Sequence, residues 1–378
     1  MKTNWPTKKL GEVIDFQKGK KMAVSEEQKL GYKPYIGIDT IRTQKYNLYT
    51  PEKDGVRCAE DDVVVVWDGA HAGTVGIEVS GFAGSTVAKI VIREPKLDSR
   101  FLRYFWEFNE SKIRGAAQGA AVPHLSKAFI DNLKIPVPPL EIQKKLVERL
   151  DGIREAQKLN NELIQKTEEL FASLLHKELN PVAKNWEIKK LGELCEFQYG
   201  YTASAQDEGD YRLIRITDIN ESGELRNSDP KYVKANSETK KYVLNQENLL
   251  VARTGATYGK ILFYDSNEPA VFASYLIRII PDEKLVLPKF IWIFSRTKEY
   301  WTQAERLMTG SGQQQFNANK IKHIEIPVPG IETQKEIVQK LNAVQEYKKG
   351  LLEQKTKLRE LFDSVLYRSM AGELDMVN

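Results

Sequence analysis

Residues 4–19 read NWPTKKLGEVIDFQKG, and residues 185–200 read NWEIKKLGELCEFQYG. Ten of these sixteen positions are identical at a constant offset of 181. The far ends of each half match as well: IPVPPLEIQKKLV at 135–147 against IPVPGIETQKEIV at 326–338, now at an offset of 191. The chain is therefore two copies of one unit of roughly 190 residues. A unit of that length is a domain plus a connector rather than a solenoid repeat. A duplicated domain on one chain implies two similar sites held at a set separation.

A length of 378 residues sets the prior at two or three domains. Hydrophobic content of 41% and charged content of 29% fit a soluble globular protein with ordinary cores. No run approaches the ~18 apolar residues that span a bilayer, and the start MKTNWPTKKLGE lacks the apolar stretch of a signal peptide. The sequence thus reads as cytoplasmic, with no membrane contact. Cys58 and Cys195 fall at non-equivalent places in the two copies. They read as reduced thiols and form no metal-ligand pair. With 56 Lys and Arg against 52 Asp and Glu, the net charge is +4. That is a weak hint of an anionic partner, without the basic footprint of a strong nucleic-acid binder. Any contact with DNA must then come from local clustering, or from a partner subunit that shares the phosphates.

Both copies follow one plan. A polar opening leads to the KKLGE turn. Short β-branched runs follow, Tyr35–Ile38 and Val63–Val66 in the first copy, Leu213–Ile216 and Leu249–Ala252 in the second, bounded by Gly, Asp and Asn as strands are. A helix is predicted near Phe101–Glu110 and another near Phe290–Arg306. A last strand ends at IPVP, where the prolines stop it. After IPVP the pattern changes: 140–179 and 331–370 contain no proline and one glycine each, Gly152 and Gly350. In the second segment Ile337, Val344, Leu351, Leu358 and Val365 recur every seven residues, with Leu341 and Phe362 on the same face. In the first, Leu146, Ile153 and Leu174 keep the spacing, polar Asn160 and Thr167 fill the intervening slots, and Leu150, Ile164 and Phe171 lie four residues further on.

A seven-residue apolar repeat over about five heptads predicts a coiled coil. A long amphipathic helix lying on a globular domain would also fit, but two such helices of equal length favour the coiled coil. At ~1.5 Å per residue each helix is on the order of 60 Å long. An antiparallel pair would act as a spacer between two globular units. The expected fold class is α+β, with a β-rich domain at 1–139, a helix at 140–180, a second β-rich domain at 181–330 and a second helix at 331–378.

Catalytic constellations are missing from the sequence. His71, His124, His176 and His323 form no HExxH or other close ligand pair, and no GxGxxG follows a strand. Gly255–Ile261 resembles a phosphate loop but is one residue short between its glycines and lacks the Ser or Thr after the lysine. No Asn-Pro-Pro-aromatic segment is present to hold a target base for amino methylation. A self-contained methyltransferase would also need a cofactor-binding domain, for which no stretch remains.

What remains is a binding pattern. The second copy carries VARTGATYGK at 251–260 and the first VVWDGAHAGT at 65–74. Each is a strand, a variable pair, then Gly-Ala, then Gly four positions on. The glycines permit a tight turn and close backbone approach. The positions between them differ in kind: Trp67 and Asp68 against Arg253 and Thr254, then His71, Thr74 against Thr257, Tyr258 and Lys260. Surface drift would also produce such differences, but a constant frame with changed tips suits two domains that read different ligands. A second tip precedes each IPVP strand, with Gln118 and His124 in the first copy and Gln313, Gln314, Gln315 and Asn317 in the second. Gln and Asn can bond adenine bidentately and Arg can do so with guanine, so these residues and Arg215 are the candidate DNA contacts.

Taken together, the duplicated KKLGE turn, the glycine-framed turns, the IPVP exits into Glu141-Ile142-Gln143 and Glu332-Thr333-Gln334, and the helix ends LFASLLHKEL (170–179) and LFDSVLYRSMAGEL (361–374) resemble the DNA-specificity (S) subunit of a Type I restriction-modification system. The likeness spans essentially the whole chain, and its specificity lies in the duplicated order. It implies a non-catalytic subunit with two target-recognition domains, each reading one half of a bipartite double-stranded DNA target across a nonspecific spacer. It implies that the helices pair antiparallel with pseudo-twofold symmetry and dock two methyltransferase subunits, which carry S-adenosylmethionine. It also implies motor-nuclease subunits that use ATP and magnesium, and no cofactor in this chain. Half-sites read from one face lie ~34–36 Å apart, within the expected reach of the helices. The recognition domains are the variable part of that family, so no target follows from the likeness. A coiled-coil adaptor with two protein-binding domains is the competing class. It accounts for the helices and the low charge, but not for glycine-framed tips bearing Arg, Lys, Tyr and Gln.

Overall fold

The computed structural model describes residues 5–117, 123–180, 184–220, 223–308 and 315–373. The chain divides into two compact units. One runs up to Glu162 and resumes at Glu353; the other is Leu163–Leu352.

In the first unit, a four-stranded antiparallel sheet has the order Ile14–Lys18, Val87–Ile92, Val63–Val66, Val75–Gly76. A second sheet orders Tyr49–Thr50, Lys33–Ile36, Gly81–Ala83 and Arg57–Cys58, with a parallel pairing of Lys33–Ile36 to Gly81–Ala83. The second unit repeats this. Its four-stranded sheet is Cys195–Tyr199, Leu276–Pro281, Asn248–Ala252, Ile261–Tyr264, and its smaller sheet again holds one parallel pairing, Tyr211–Ile214 to Ala270–Phe272. The continuous apolar run Val63–Val66 follows from its position between two cores. Val63 and Val65 face one and Val64 and Val66 the other. Leu249 and Val251 are likewise divided from Leu250 and Ala252. A strand buried on both faces has no polar alternation to show.

The repeated KKLGE has a physical reason at each position. Strands Thr7–Lys9 and Glu187–Lys190 pair with the IPVP strands Lys134–Pro136 and Glu325–Val328. One helical turn follows, Leu10–Val13 or Leu191–Leu194. Leu10 and Leu191 are fully buried, and their N–H groups donate to the carbonyls of Leu133 and Ile324. Glu12 and Glu193 accept the N–H of Lys9 and Lys190, capping the turn. A Cβ on Gly11 or Gly192 would lie 2.8 Å from Asp131 or 2.9 Å from Lys322, so only glycine allows that approach.

The first copy's predicted helix is longer than expected, Ser99–Gly115. The helix predicted over Phe290–Arg306 is two helices, Pro288–Phe294 and Lys298–Met308. Hydroxyls break it: Ser295 Oγ donates to Trp292 O at 2.7 Å, and Thr297 Oγ1 donates to Phe294 O and accepts from Tyr300 N. These bonds stand in for backbone pairs the helix would otherwise make.

The two long helices are Leu140–Leu179 and Ile331–Met370. In the first unit, Leu146 and Leu150 share a core with Phe362, Leu366 and Met370, with Ile153 and Val365 at its margin. In the second unit, Leu175 and Leu179 meet Ile337 and Leu341, with Phe171 and Leu174 at the margin. In each unit the start of one helix lies against the end of the other, so the two run antiparallel there. Leu351 is buried, Ile164, Val344 and Leu358 are half-buried, and the polar heptad residues Asn160 and Thr167 are buried as well. Thr167 Oγ1 turns back to Leu163 O at 2.7 Å.

One side chain in each unit fixes where the helix begins. Gln143 is fully buried; its amide donates to Lys96 O and Pro138 O, each at 2.7 Å, and its carbonyl accepts from Asp98 N at 2.9 Å. Gln334, also fully buried, does the same with Leu285 O, Pro329 O and Leu287 N. Replacing Gln143 with Leu strands two carbonyls and an N–H inside the protein, and each stranded group costs about 1–3 kcal/mol. The Gln143→Leu chain is expected to unfold at a distinctly lower denaturant midpoint; an unchanged midpoint would show that the brace is dispensable.

Candidate nucleic-acid interface

The glycine-framed turns have one backbone in both units. Gly69 and Gly73 have φ of 104° and 97°, and Gly255 and Gly259 have 74° and 76°, a region that favours glycine. Gly73 N donates to Val66 O and Gly259 N to Ala252 O, both at 2.8 Å. Val66 N returns to Thr74 O and Ala252 N to Lys260 O. The preceding loop is tied on by Leu125 N to Trp67 O and by Phe316 N to Arg253 O. Behind each turn a buried aromatic holds the second glycine: Trp106 Nε1 donates to Gly73 O at 2.9 Å, and Tyr300 Oη to Gly259 O at 2.6 Å. The frame is thus fixed by main-chain bonds and a buried clamp, none of which uses the tip side chains.

In the first unit, Asp68 lies between Lys18 Nζ at 2.6 Å and His124 Nδ1 at 2.5 Å. Burial works to raise the Asp68 carboxyl, but the bonds from Lys18 and His124 outweigh it and hold it below the ordinary value of 3.8. His124 is exposed, with its Nδ1 engaged by Asp68. Trp67 packs edge-on against Phe16, ring centroids 4.9 Å apart, so most of its surface serves packing. His71 and Thr74 are half-buried in the turn.

In the second unit, Arg253 Nη2 donates to Gln315 Oε1 at 2.7 Å and Nη1 to Ser274 O at 3.3 Å, and the guanidinium lies 5.3 Å from the Tyr199 ring centroid. Among the described residues its Nε is buried without a partner, as is Thr257 Oγ1. Thr254 and Lys260 are half-buried, and Lys260 has no ion pair among the described residues. Tyr258 packs on Trp301 at 6.4 Å.

The two junctions correspond residue by residue. Lys18 and Tyr199 end equivalent strands, Trp67–Asp68 and Arg253–Thr254 open equivalent turns, and His124 and Gln315 precede equivalent helices. The structure brings together residues of the two predicted tips, Asp68 with His124 and Arg253 with Gln315. Sequence reasoning missed Lys18 and Tyr199, the one point of strong divergence within FQKG and FQYG. Two candidates have structural duties. Arg215 makes a two-pronged pair with Asp218 and bonds Asp229 O. Asn317 caps the helix Ala318–Ile321 by accepting from Lys320 N, as Ser126 caps its counterpart. Gln118, Gln313 and Gln314 lie outside the described residues.

Because the Asp68 carboxyl is held low, its contribution to stability is full above the ordinary value and is lost as pH falls through its folded value. Asp68→Asn is therefore expected to be less stable than the parent at neutral pH, with the gap closing below about pH 4. A gap in denaturant midpoint that stays constant with pH would contradict the pairing.

Among the described residues there is no group of His, Cys, Asp or Glu that could hold a metal ion, and no helix is long and apolar enough to cross a membrane. The model of the family described as Type I restriction modification DNA specificity domain matches residues 2–169 and again 183–359. The chain is 25% identical over 394 residues to the Type I restriction enzyme MjaVIII specificity subunit of Methanocaldococcus jannaschii, covering 97% of this chain and 91% of that one. It is also 25% identical to the EcoBI specificity subunit of Escherichia coli, over 90% of this chain and 80% of that one. Among solved structures, the S subunit of a Type I restriction-modification system from M. genitalium superposes with a TM-score of 0.66 at 16% identity, covering 99% of this chain and 97% of that one. A chain from a type I R-M system solved to explain complex assembly and conformational transition gives 0.61 at 18% identity, covering 99% of this chain and 100% of that one.

Proposed function

Since the chain belongs to the Type I restriction modification DNA specificity family, we propose that its two duplicated junctions are two readers of DNA, each for one half of a bipartite target. The observation that carries this reading is the repeated hairpin frame. Its backbone bonds recur in both units while the side chains at the junction change from Lys18, Asp68 and His124 to Tyr199, Arg253 and Gln315. Base edges are distinguished by donor and acceptor patterns in the major groove. A guanidinium steered by a glutamine carbonyl, with that glutamine's amide group left to donate, suits such an edge. So does an imidazole whose inner nitrogen is pinned by a carboxylate. Lys260 supplies a phosphate contact beside the second junction. Thr254 there, and His71 and Thr74 in the first turn, complete the contact surface.

The recognition domains in this reading are 1–139 and 181–330, and the segments 140–180 and 331–378 serve as partner helices. The chain acts within a complex with DNA and other subunits, as the relatives' names and the R-M assembly imply. Two methyltransferase subunits carrying S-adenosylmethionine dock on the helices, and motor-nuclease subunits using ATP and magnesium join them. A net charge of +4 is small for a protein that must hold a duplex unaided, because phosphate neutralisation supplies most of the affinity. The chain alone therefore binds weakly and the complex tightly.

The test is binding of a target duplex by the methyltransferase complex across a salt series. Lys260→Glu is expected to weaken binding to all sequences alike and to lower the salt slope by about 1. Arg253→Ala is expected to relax discrimination in one half of the target only. Unchanged affinity and slope in both variants would overturn the reading.

A further inference from the structure

The glutamine braces are alike in the two units, but the charges beside them are not. In the first unit, Arg154 on the first long helix bonds Glu107 of the β-rich domain. Its guanidinium lies 5.1 Å from the Tyr104 ring centroid and 5.1 Å from that of Phe362. Asp151, one turn earlier, accepts from the Tyr104 hydroxyl and lies 3.6 Å from Arg100. The contact is about two-thirds covered, with Arg154 and Glu107 side chains 30% and 28% exposed. Burial pushes the Glu107 carboxyl up, even though Arg154 and Arg103 oppose this.

In the second unit the positive charge comes from the other side. Arg296, on the β-rich domain, lies 3.8 Å from the Trp292 ring centroid and 5.9 Å from that of Phe171. Arg296 occupies the place of Glu107, as both follow the equivalent helix starts Ser99 and Pro288 at the same distance. Phe171 is the counterpart of Phe362 in the repeated helix ends. On the long helix, Gln345 stands where Arg154 stands relative to IPVP, and Asn342 where Asp151 stands. Arg296, Phe171, Asn342 and Gln345 line one cavity of about 780 Å³. The guanidinium packed across the two rings thus comes from the helix in the first unit and from the domain in the second.

We infer that each recognition domain is keyed to its own helical seat, the first seat requiring an acid at the Glu107 position and the second a base at the Arg296 position, so that the two domains are not interchangeable on the helices. A domain carrying Arg296 set on the first seat would meet Arg154, two like charges at a contact about two-thirds covered. A domain carrying Glu107 set on the second would place its carboxylate opposite the uncharged Gln345 instead of Arg154. Removing one partner of a covered pair costs more than the pair contributes. The inference concerns folding, uses the domain limits proposed above and does not depend on what the domains read.

Double-mutant cycles in the full-length chain test it, read as thermal unfolding midpoints. Arg154→Gln and Glu107→Arg are each expected to lower the midpoint of the first unit on the order of 5 °C. The double variant E107R/R154Q reproduces the charge arrangement of the second unit and is expected to recover most of that loss. In the second unit, Gln345→Arg is expected to lower the midpoint, and adding Arg296→Glu to reverse the trend. If a single variant yields no folded protein, recovery of folded chain in the double variant supports the keying, and failure of the double overturns it. Additive losses, or single variants with unchanged midpoints, also overturn it. Either result leaves DNA reading by the parent untouched, so the two readings fail separately.

Discussion

A buried carboxamide at the fourth residue of each long helix is the constraint on which the rest depends. Gln143 and Gln334 each satisfy two carbonyls and one N–H drawn from the loop before the domain helix and from the IPVP exit. A primary amide has the donors and the acceptor for all three bonds, and no apolar side chain of that size does. The helix start, the last strand and the domain helix are thereby joined in each unit. The KKLGE turn closes the same assembly from the other end, through the pairing of its strand with IPVP.

That rigid frame separates folding from recognition. The turn conformation needs glycine at Gly69, Gly73, Gly255 and Gly259, and the clamp needs Trp106 or Tyr300 behind it. Neither requirement involves the tip side chains, so these can change without disturbing the backbone. The outcome within one chain is a junction built on an acid between two bases and another built on an arginine, a glutamine and a tyrosine. The seats on the long helices show the same economy. The brace is repeated, while the source of the cation is exchanged between Arg154 and Arg296.

Much of this was legible in the sequence, for physical reasons. Repetition exposed the unit, because a glycine, a cap and a buried leucine each leave a mark that survives duplication. The long helices announced themselves through the loss of proline and the seven-residue apolar spacing, down to the polar slots at Asn160 and Thr167. Pairings across distant elements were less visible. Lys18 reaches Asp68 and Tyr199 reaches Arg253 across some fifty positions, and no local pattern encodes that approach. Arg215 and Asn317 read as contacts from their chemistry alone, whereas a carboxylate three residues on and a helix start claim them. The helix break at Ser295–Thr297 was hidden because its hydroxyl bonds look, in sequence, like ordinary polar residues in a helix.

The central claim is that one chain carries two independent readers of DNA. Selection of bound sequences from a random duplex pool by the chain together with the methyltransferase subunits proposed as its partners tests this most directly. The account predicts enrichment of two short specified segments separated by a gap of fixed length and free sequence. A single uninterrupted motif, or no enrichment at all, would contradict it.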